Sequence, residues 1–270
     1  MARRSLLQIS MFRSLNIAAT GMTAQETKLD TISNNLANAN TNGYKKQDAE
    51  FEDLLYQTQR GAGTGPGGTA APTMVQLGSG ARVVATPRFF SQGTIQQTGN
   101  PLDVAIEGNG FLVVTRDDGS QAYTRAGALK LGADGRLSTS DGLPIEPQIT
   151  VPPDTSNIVI GSDGKVTAEV AGQTAPVELG KIQLATFPNP GGLSATGHNL
   201  FTATASSGDP SLGDAGVEGR GRLMQGATEG SNVEVVSEMI GLIRTQRAYE
   251  INSKVIAAAD EMLRSATQLR

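Results

Sequence analysis

Apolar residues return at three- and four-residue steps over the last forty residues, Ser231 to Arg270. They are Val233, Val236, Ile240 and Ile243, then, after a slip around Arg247, Ile251, Val255, Ala258, Met262 and Leu269. That spacing lays one apolar stripe along a helix. Ser231 and Glu234 have the spacing of a capping box, so the pattern predicts a helix that begins at Ser231. At about 1.5 Å per residue such a helix is roughly 60 Å long. Some eight large apolar side chains at roughly 1.5 kcal/mol each give on the order of 12 kcal/mol of gross burial. Ordering the segment costs several times as much, and helix hydrogen bonds return only part of it. The expectation is therefore a helix that is stable only when several neighbours cover its stripe. A four-residue slip in a heptad pattern locally unwinds a supercoil, which predicts packing among tilted neighbours.

A second helical pattern runs from Leu15 to Asn42, with Leu15, Ala18, Met22, Leu29, Ile32 and Leu36 at heptad-like spacing and Gly43 where a C-terminal cap glycine belongs. Two terminal helices with matching stripes are expected to lie against each other. The first closes in an asparagine cluster, Asn34, Asn35, Asn38, Asn40 and Asn42. Asparagine competes for backbone groups, so the cluster reads either as a frayed helix end or as amides that bond to neighbouring chains.

Between these ends the pattern changes twice. Residues 46–81 begin with helical or extended potential and pass into RGAGTGPGGTAAPTMVQLGSG, too rich in Gly, Thr and Pro for a regular helix. From Arg82 the period becomes two, in short runs such as PLDVAIEG, FLVVT, NIVIG, KVTAEV and KIQLATF. Asp118-Gly119, Asp134-Gly135, Asp141-Gly142 and Asp163-Gly164 are hairpin-type dipeptides. The expected fold class is α+β: paired, coiled-coil-like terminal helices around a central antiparallel β domain of sandwich or barrel type. The expected division is 1–10 as an upstream extension, 11–45 helical, 46–81 extended, 82–225 β and 226–270 helical.

Composition narrows the function. In 270 residues the net charge is -4, which provides no electrostatic reason to expect nucleic acid or an anionic membrane surface. The chain has no Cys, which excludes disulfides, thiolate metal sites and cysteine nucleophiles. No apolar run reaches the roughly 18 residues of a membrane span, and MARRSLLQIS lacks the core of a cleavable signal. GAGTGPGG lacks the strand, Lys and following helix of a phosphate loop. The Asp-Gly pairs lack a calcium frame, and the single histidine, His198, has no nucleophile or second metal ligand in its company. No catalytic, cofactor, metal or small-molecule site is assigned. Three classes stay open: a polymerising structural subunit, a β-rich adhesin with a helical stalk, and a secreted hydrolase.

SNNLANANTNGYK (33–45), RSLNIAATGM before it and TQRAYEINSKVI near the other end resemble the rod and hook axial proteins of bacterial flagella. The likeness continues through TGNPLDVAIEGNGFLVV, YTRAGAL, LGKIQLATFPNPGGL and QGATEGSNVEVV. Its motif positions here are Asn34, Asn35, Leu36, Ala37, Asn38, Thr41, Asn42, Gly43 and Tyr44, with Gln246, Arg247, Tyr249 and Asn252. Within the family the chain is most similar to the distal-rod branch, with the proximal rod as the alternative. The resemblance implies a structural subunit, not an enzyme, that forms a helical homopolymer as part of a hollow drive shaft. It implies contacts through Leu15, Met22, Leu29, Ile32 and Leu36 at one end and Val236, Ile240, Ile243, Ile251, Val255 and Met262 at the other. Implied partners are further copies, proximal rod and hook proteins, P- and L-ring proteins and the flagellar type III export apparatus. The implied location is the basal body between periplasm and outer membrane, reached without a cleavable signal.

Overall fold

A computed structural model describes residues 2–60, 63–64, 70–71, 75–171 and 175–268. The predicted Leu269 and much of the Gly-rich stretch lie outside them. Two terminal helices and a central, mostly antiparallel β region make the fold α+β. The chain divides into two compact units. One comprises the residues up to Leu36, Gln47–Pro87 and those from Val235; the other is Ala37–Lys46 with Arg88–Glu234.

In the first unit, α1 (Ala2–Ala37) and α2 (Val235–Gln268) run antiparallel. Asn35 meets Glu238, Ile32 meets Gly241, and Gly21 meets Asn252. Steps of three and eleven residues down one helix are matched by the same steps up the other. The helices approach closely because small residues line the contact: a Cβ on Gly21 would stand 3.0 Å from the Asn252 amide, and one on Gly241 3.4 Å from Ile32 Cδ1. Between the helices in sequence lies a ribbon in which Glu50–Asp53 pairs with Ala81–Ala85, Tyr56–Arg60 with Val75–Gly78, and Gly63–Thr64 with Ala70–Ala71. At Gly80 a Cβ would overlap the Thr20 hydroxyl, so glycine lets the base of the ribbon reach α1.

The second unit is built on a six-stranded antiparallel sheet. Its strands, in spatial order, are Ser194–Gly197, Leu200–Thr202, Gln121–Thr124, Phe111–Thr115, Gln183–Thr186 and Ser211–Asp214. The period of two sorts its residues onto two faces. Leu112, Val114, Ala122 and Leu184 join Val104, Ile106, Ile145, Val166 and Ile182 in the larger core cluster. Phe111, Val113, Tyr123 and Ala185 join Phe187 and Phe201 in a smaller one, where rings meet edge to face, as in the Tyr123–Phe187 pair at 4.8 Å. A three-stranded sheet, Thr155–Ile160, Lys165–Val170 and Val177–Lys181, stands beside it in sequence. All four Asp-Gly pairs sit in turns between antiparallel partners.

Three helix boundaries differ from the sequence expectation. The N-terminal helix starts at Ala2, well before Leu15, so it runs through the residues expected as an upstream extension. The C-terminal helix starts at Val235, not Ser231, and Ser231 Oγ accepts the Val233 N–H at 3.2 Å in a local turn. The preceding residues are held as β structure, with Ala227–Glu229 paired to Ile95–Gln97 and the Gly230 N–H bonded to Thr94 O. Tertiary pairing has overridden the capping signal. At the other end α1 stops at Ala37, and Gly43 is no helix cap. Its φ of +73° serves a close approach: a Cβ there would stand 2.6 Å from the Ala126 backbone nitrogen.

Candidate assembly interface

An α-helix turns about 100° per residue, so residue spacing assigns faces. On α2 the residues turned toward α1 include Glu238, Gly241, Thr245, Ala248, Asn252, Ile256, Ala259 and Leu263, buried or half-buried. All but Ile256 and Leu263 are small or polar, and the Thr245 hydroxyl is satisfied by Gly241 O at 2.9 Å. The large apolar residues picked out by periodicity occupy a stripe roughly a third of a turn away. Val236, Ile240, Ile243, Ile251, Val255 and Met262 are all exposed, to 64% at Val236 and 60% at Ile251, and Met239 lies out with them. Half-exposed side chains of this size leave on the order of 5–10 kcal/mol of gross burial unrealised. On α1 the stripe is better used: Ile32 is buried and Leu15, Met22, Leu29 and Leu36 are half-buried.

The asparagine cluster splits by role. Asn35 is buried and donates to Gln47 O at 2.7 Å while accepting the Gln47 N–H at 3.0 Å, as a paired strand residue would. Its amide also donates to Glu238 Oε2 at 3.1 Å, fastening the returning chain and α2 to one side chain. Neither a frayed end nor an intermolecular amide describes Asn35. Asn34, Ala37, Asn40 and Asn42 are exposed; Asn38 and Thr41 are half-buried and joined by a 3.1 Å hydroxyl–amide bond. Tyr44 is buried with the Arg88 guanidinium 5.7 Å from its ring centroid. Of the C-terminal motif, Gln246, Arg247 and Tyr249 point to solvent, whereas Asn252 meets Gly21.

The β unit holds a charge cluster. Lys45 and Glu229 are 0% exposed and Arg125 is 2% exposed at the side chain. Glu229 accepts from Lys45 Nζ at 2.6 Å, Arg125 Nη1 at 2.9 Å and the Gly93 N–H at 2.9 Å. Lys45 also donates to Ser91 O at 2.7 Å, and Arg125 to Gly108 O at 2.6 Å. Arg125 Nε has no hydrogen-bond partner among the described residues; the guanidinium carbon stands 5.6 Å from the Phe111 ring centroid. Burial holds the Lys45 ammonium below its ordinary pKa despite the Glu229 hydrogen bond and charge. At Glu229 burial pushes upward, but the charge of Arg125 and the bond and charge of Lys45 outweigh it and hold the carboxyl below its usual range.

None of this resembles reactive machinery. His198 is well exposed, its Nδ1 3.6 Å from Asp141, and among the described residues no group of His, Cys, Asp or Glu is placed to hold a metal.

Residues 15–45 match the family described as Flagella basal body rod protein. Residues 105–168 match the Flagellar hook protein FlgE/F/G D1 domain, and 224–269 the Flagellar basal body rod FlgEFG protein C-terminal region. The chain is 47% identical over 260 residues to a Flagellar basal-body rod protein FlgG of Caulobacter vibrioides, covering 96% of this chain and 99% of the relative. It is 39% identical over 269 residues to the FlgG of Bacillus subtilis, covering 96% and 100%. This chain belongs to the flagellar basal-body rod proteins. A rod protein is a structural part of the flagellum, not an enzyme, and it assembles into the basal-body rod with other flagellar components. The likeness seen in the asparagine-rich and C-terminal motifs is thereby explained, and the adhesin and hydrolase classes are set aside.

Sequence reasoning passed over Lys45, Arg125 and Glu229 as cluster members, although each stands inside a segment that carries the rod-family likeness. A single lysine, arginine or glutamate among turn residues has no periodicity to report its burial. The faint signal was an isolated charge in an otherwise neutral motif, as in NTNGYK, YTRAGAL and GATEGSN.

Proposed function

We propose that this rod protein is the distal-rod subunit, which polymerises through its terminal helices into the hollow shaft that transmits torque to the hook for motility. The carrying observation is the exposed stripe on α2. A helix that turns a mostly small and polar face inward and leaves Val236, Ile240, Ile243, Ile251, Val255 and Met262 in water is completed by other copies. The same holds for Phe12 and Ile17 on α1. In the polymer these helices form coiled-coil-like contacts as an inner layer, each heterologous and open-ended, the geometry that yields filaments. The sheet, with apolar clusters on both faces, supports a sandwich-type reading of the β unit. That unit carries the contacts to the P and L rings, while proximal rod and hook proteins continue the shaft at its ends. The subunit reaches the rod between periplasm and outer membrane through the type III export apparatus. Assignment to the distal branch rests on QRAYEINSKVI and the Gly-rich stretch before Val75.

The test is elongation of purified rod fragments by added protein, followed by electron microscopy. The parent chain extends the fragments, and Ile251→Asp does not, although its β unit keeps the parent circular dichroism. Normal elongation by Ile251→Asp removes the stripe from the assembly surface. Addition at the proximal end alone would favour the proximal-rod alternative.

A further inference from the structure

The charge cluster joins three stretches that are far apart in sequence. Lys45 precedes the bulk of the β unit, Arg125 lies within it, and Glu229 follows nearly all of it, 184 residues after Lys45 and 104 after Arg125. Two cations and one anion are sealed together, so Glu229 is the charge that makes burial of the other two tolerable. Removing one partner of a buried ion pair leaves the remaining charge uncompensated, which is far more damaging than replacing the whole group by apolar residues. Here removal would strand two like charges at once.

Backbone contacts converge on the same residue. The Gly43 N–H donates to Glu229 O at 2.8 Å, and the Gly93 N–H donates to the Glu229 carboxylate. Three residues on, Asn232 accepts the Lys46 N–H at 2.7 Å and donates to Phe89 O at 2.8 Å. The segment that leaves α1 and the segment that leads to α2 are thus bonded to each other and to the strand region after Arg88. Gly43 has room only for hydrogen, so these segments fit in one arrangement.

We propose that Lys45, Arg125 and Glu229 form a completion lock, in which the β unit closes only when the late strand bearing Glu229 docks between the two buried cations. A chain whose residues beyond about 225 have not yet arrived then holds an open β unit with Lys45 and Arg125 in water. Folding of the middle of the subunit is tied in this way to presence of the end that carries α2. An incomplete subunit presents no finished β unit to a growing polymer.

The test uses the full-length monomer and amide hydrogen exchange read residue by residue. In Glu229→Gln, Gly43 and Gly93 lose protection, and the central strands Phe111–Thr115 and Gln121–Thr124 lose it with them, by at least about 100-fold. A second variant, Lys45→Met with Arg125→Met and Glu229→Gln, removes the stranded charges and restores protection of the central strands to within about tenfold of the parent. Two results overturn the lock. One is central-strand protection in Glu229→Gln that stays within about threefold of the parent while only Gly43 and Gly93 exchange faster. The other is central-strand protection that is lost in the single variant and not recovered in the triple one, which would make the site a matter of shape and not of charge.

Discussion

The two units of this rod protein solve opposite problems. The β unit seals most of its large apolar side chains: Leu112, Val114, Leu184 and Ile182 have no exposed surface. It even buries a lysine, an arginine and a glutamate to finish the interior. On α2 the helical unit does much the reverse, turning Gly241, Thr245, Ala248, Asn252 and Ala259 inward, with Ile256 and Leu263 half-buried among them, while Val236, Ile240, Ile243, Ile251, Val255 and Met262 face water. On the assembly proposed above, the contrast separates a part completed within one chain from a part left for other chains to complete. It also separates two uses of polar groups. In the β unit opposite charges neutralise one another in a closed interior, whereas in the helical unit one amide, that of Asn35, ties a loop and a helix together without demanding a thick core.

This comparison can be broken by mutation. The largest effect is expected in the sealed unit. Leu112→Ala should lower the stability of the purified chain by about 2–5 kcal/mol in denaturant unfolding, because the site is fully packed. A loss under about 1 kcal/mol would mean that the core is looser than its burial implies. Acid should act on the same unit. Because the folded Glu229 carboxyl ionises below its unfolded value, its contribution is complete above the usual carboxylate range of about 4.5 and is lost as pH falls through the folded value. Protection of Gly43 and Gly93, taken relative to the intrinsic exchange rate at each pH, should therefore fall below pH 4.5 in the parent, and a Glu229→Gln chain should lack that step.

In the helical unit, Asn35→Asp removes the donor to Gln47 O and sets a carboxylate beside Glu238. A loss of about 1–3 kcal/mol is expected, read as lowered thermal stability of the helical signal while the β unit melts unchanged. The smallest effect on the monomer belongs to Ile251→Ala. An exposed side chain in the free subunit should change monomer stability by no more than about 0.5 kcal/mol, yet slow elongation of rod fragments measurably. If Ile251→Ala destabilised the monomer as Leu112→Ala does, the distinction between the units would fail.

Much of the fold was legible because it is written in local spacing. The two long helices, the period-two strands and the Asp-Gly turns each follow from residues within a few positions of one another. The stripe containing Ile251 was correctly seen as apolar and periodic; what periodicity does not carry is which face of a helix its own chain will cover. Gly241, Thr245 and Ala259 look inconspicuous in sequence and won the intramolecular contact, because only small residues permit two helices to approach so closely. The helix start was misplaced for a related reason. Ser231 and Glu234 form a valid local signal, but strand pairing of residues 227–229 and the bonds of Gly230 and Asn232 held the chain out of helix until Val235.

Sequence by itself thus determined the two helices and the strands after Arg82, the family to which the chain belongs and the presence of an apolar surface too large for one helix pair, but not the strand-paired ribbon between Glu50 and Ala85. Tertiary structure alone decided that this surface stays outside, that Gly43 serves a close approach and not a cap, and that Lys45, Arg125 and Glu229 share one sealed site. The reason is range. Helix and strand periodicities are properties of neighbouring residues, whereas burial of a face or a charge depends on which distant segments arrive to cover it.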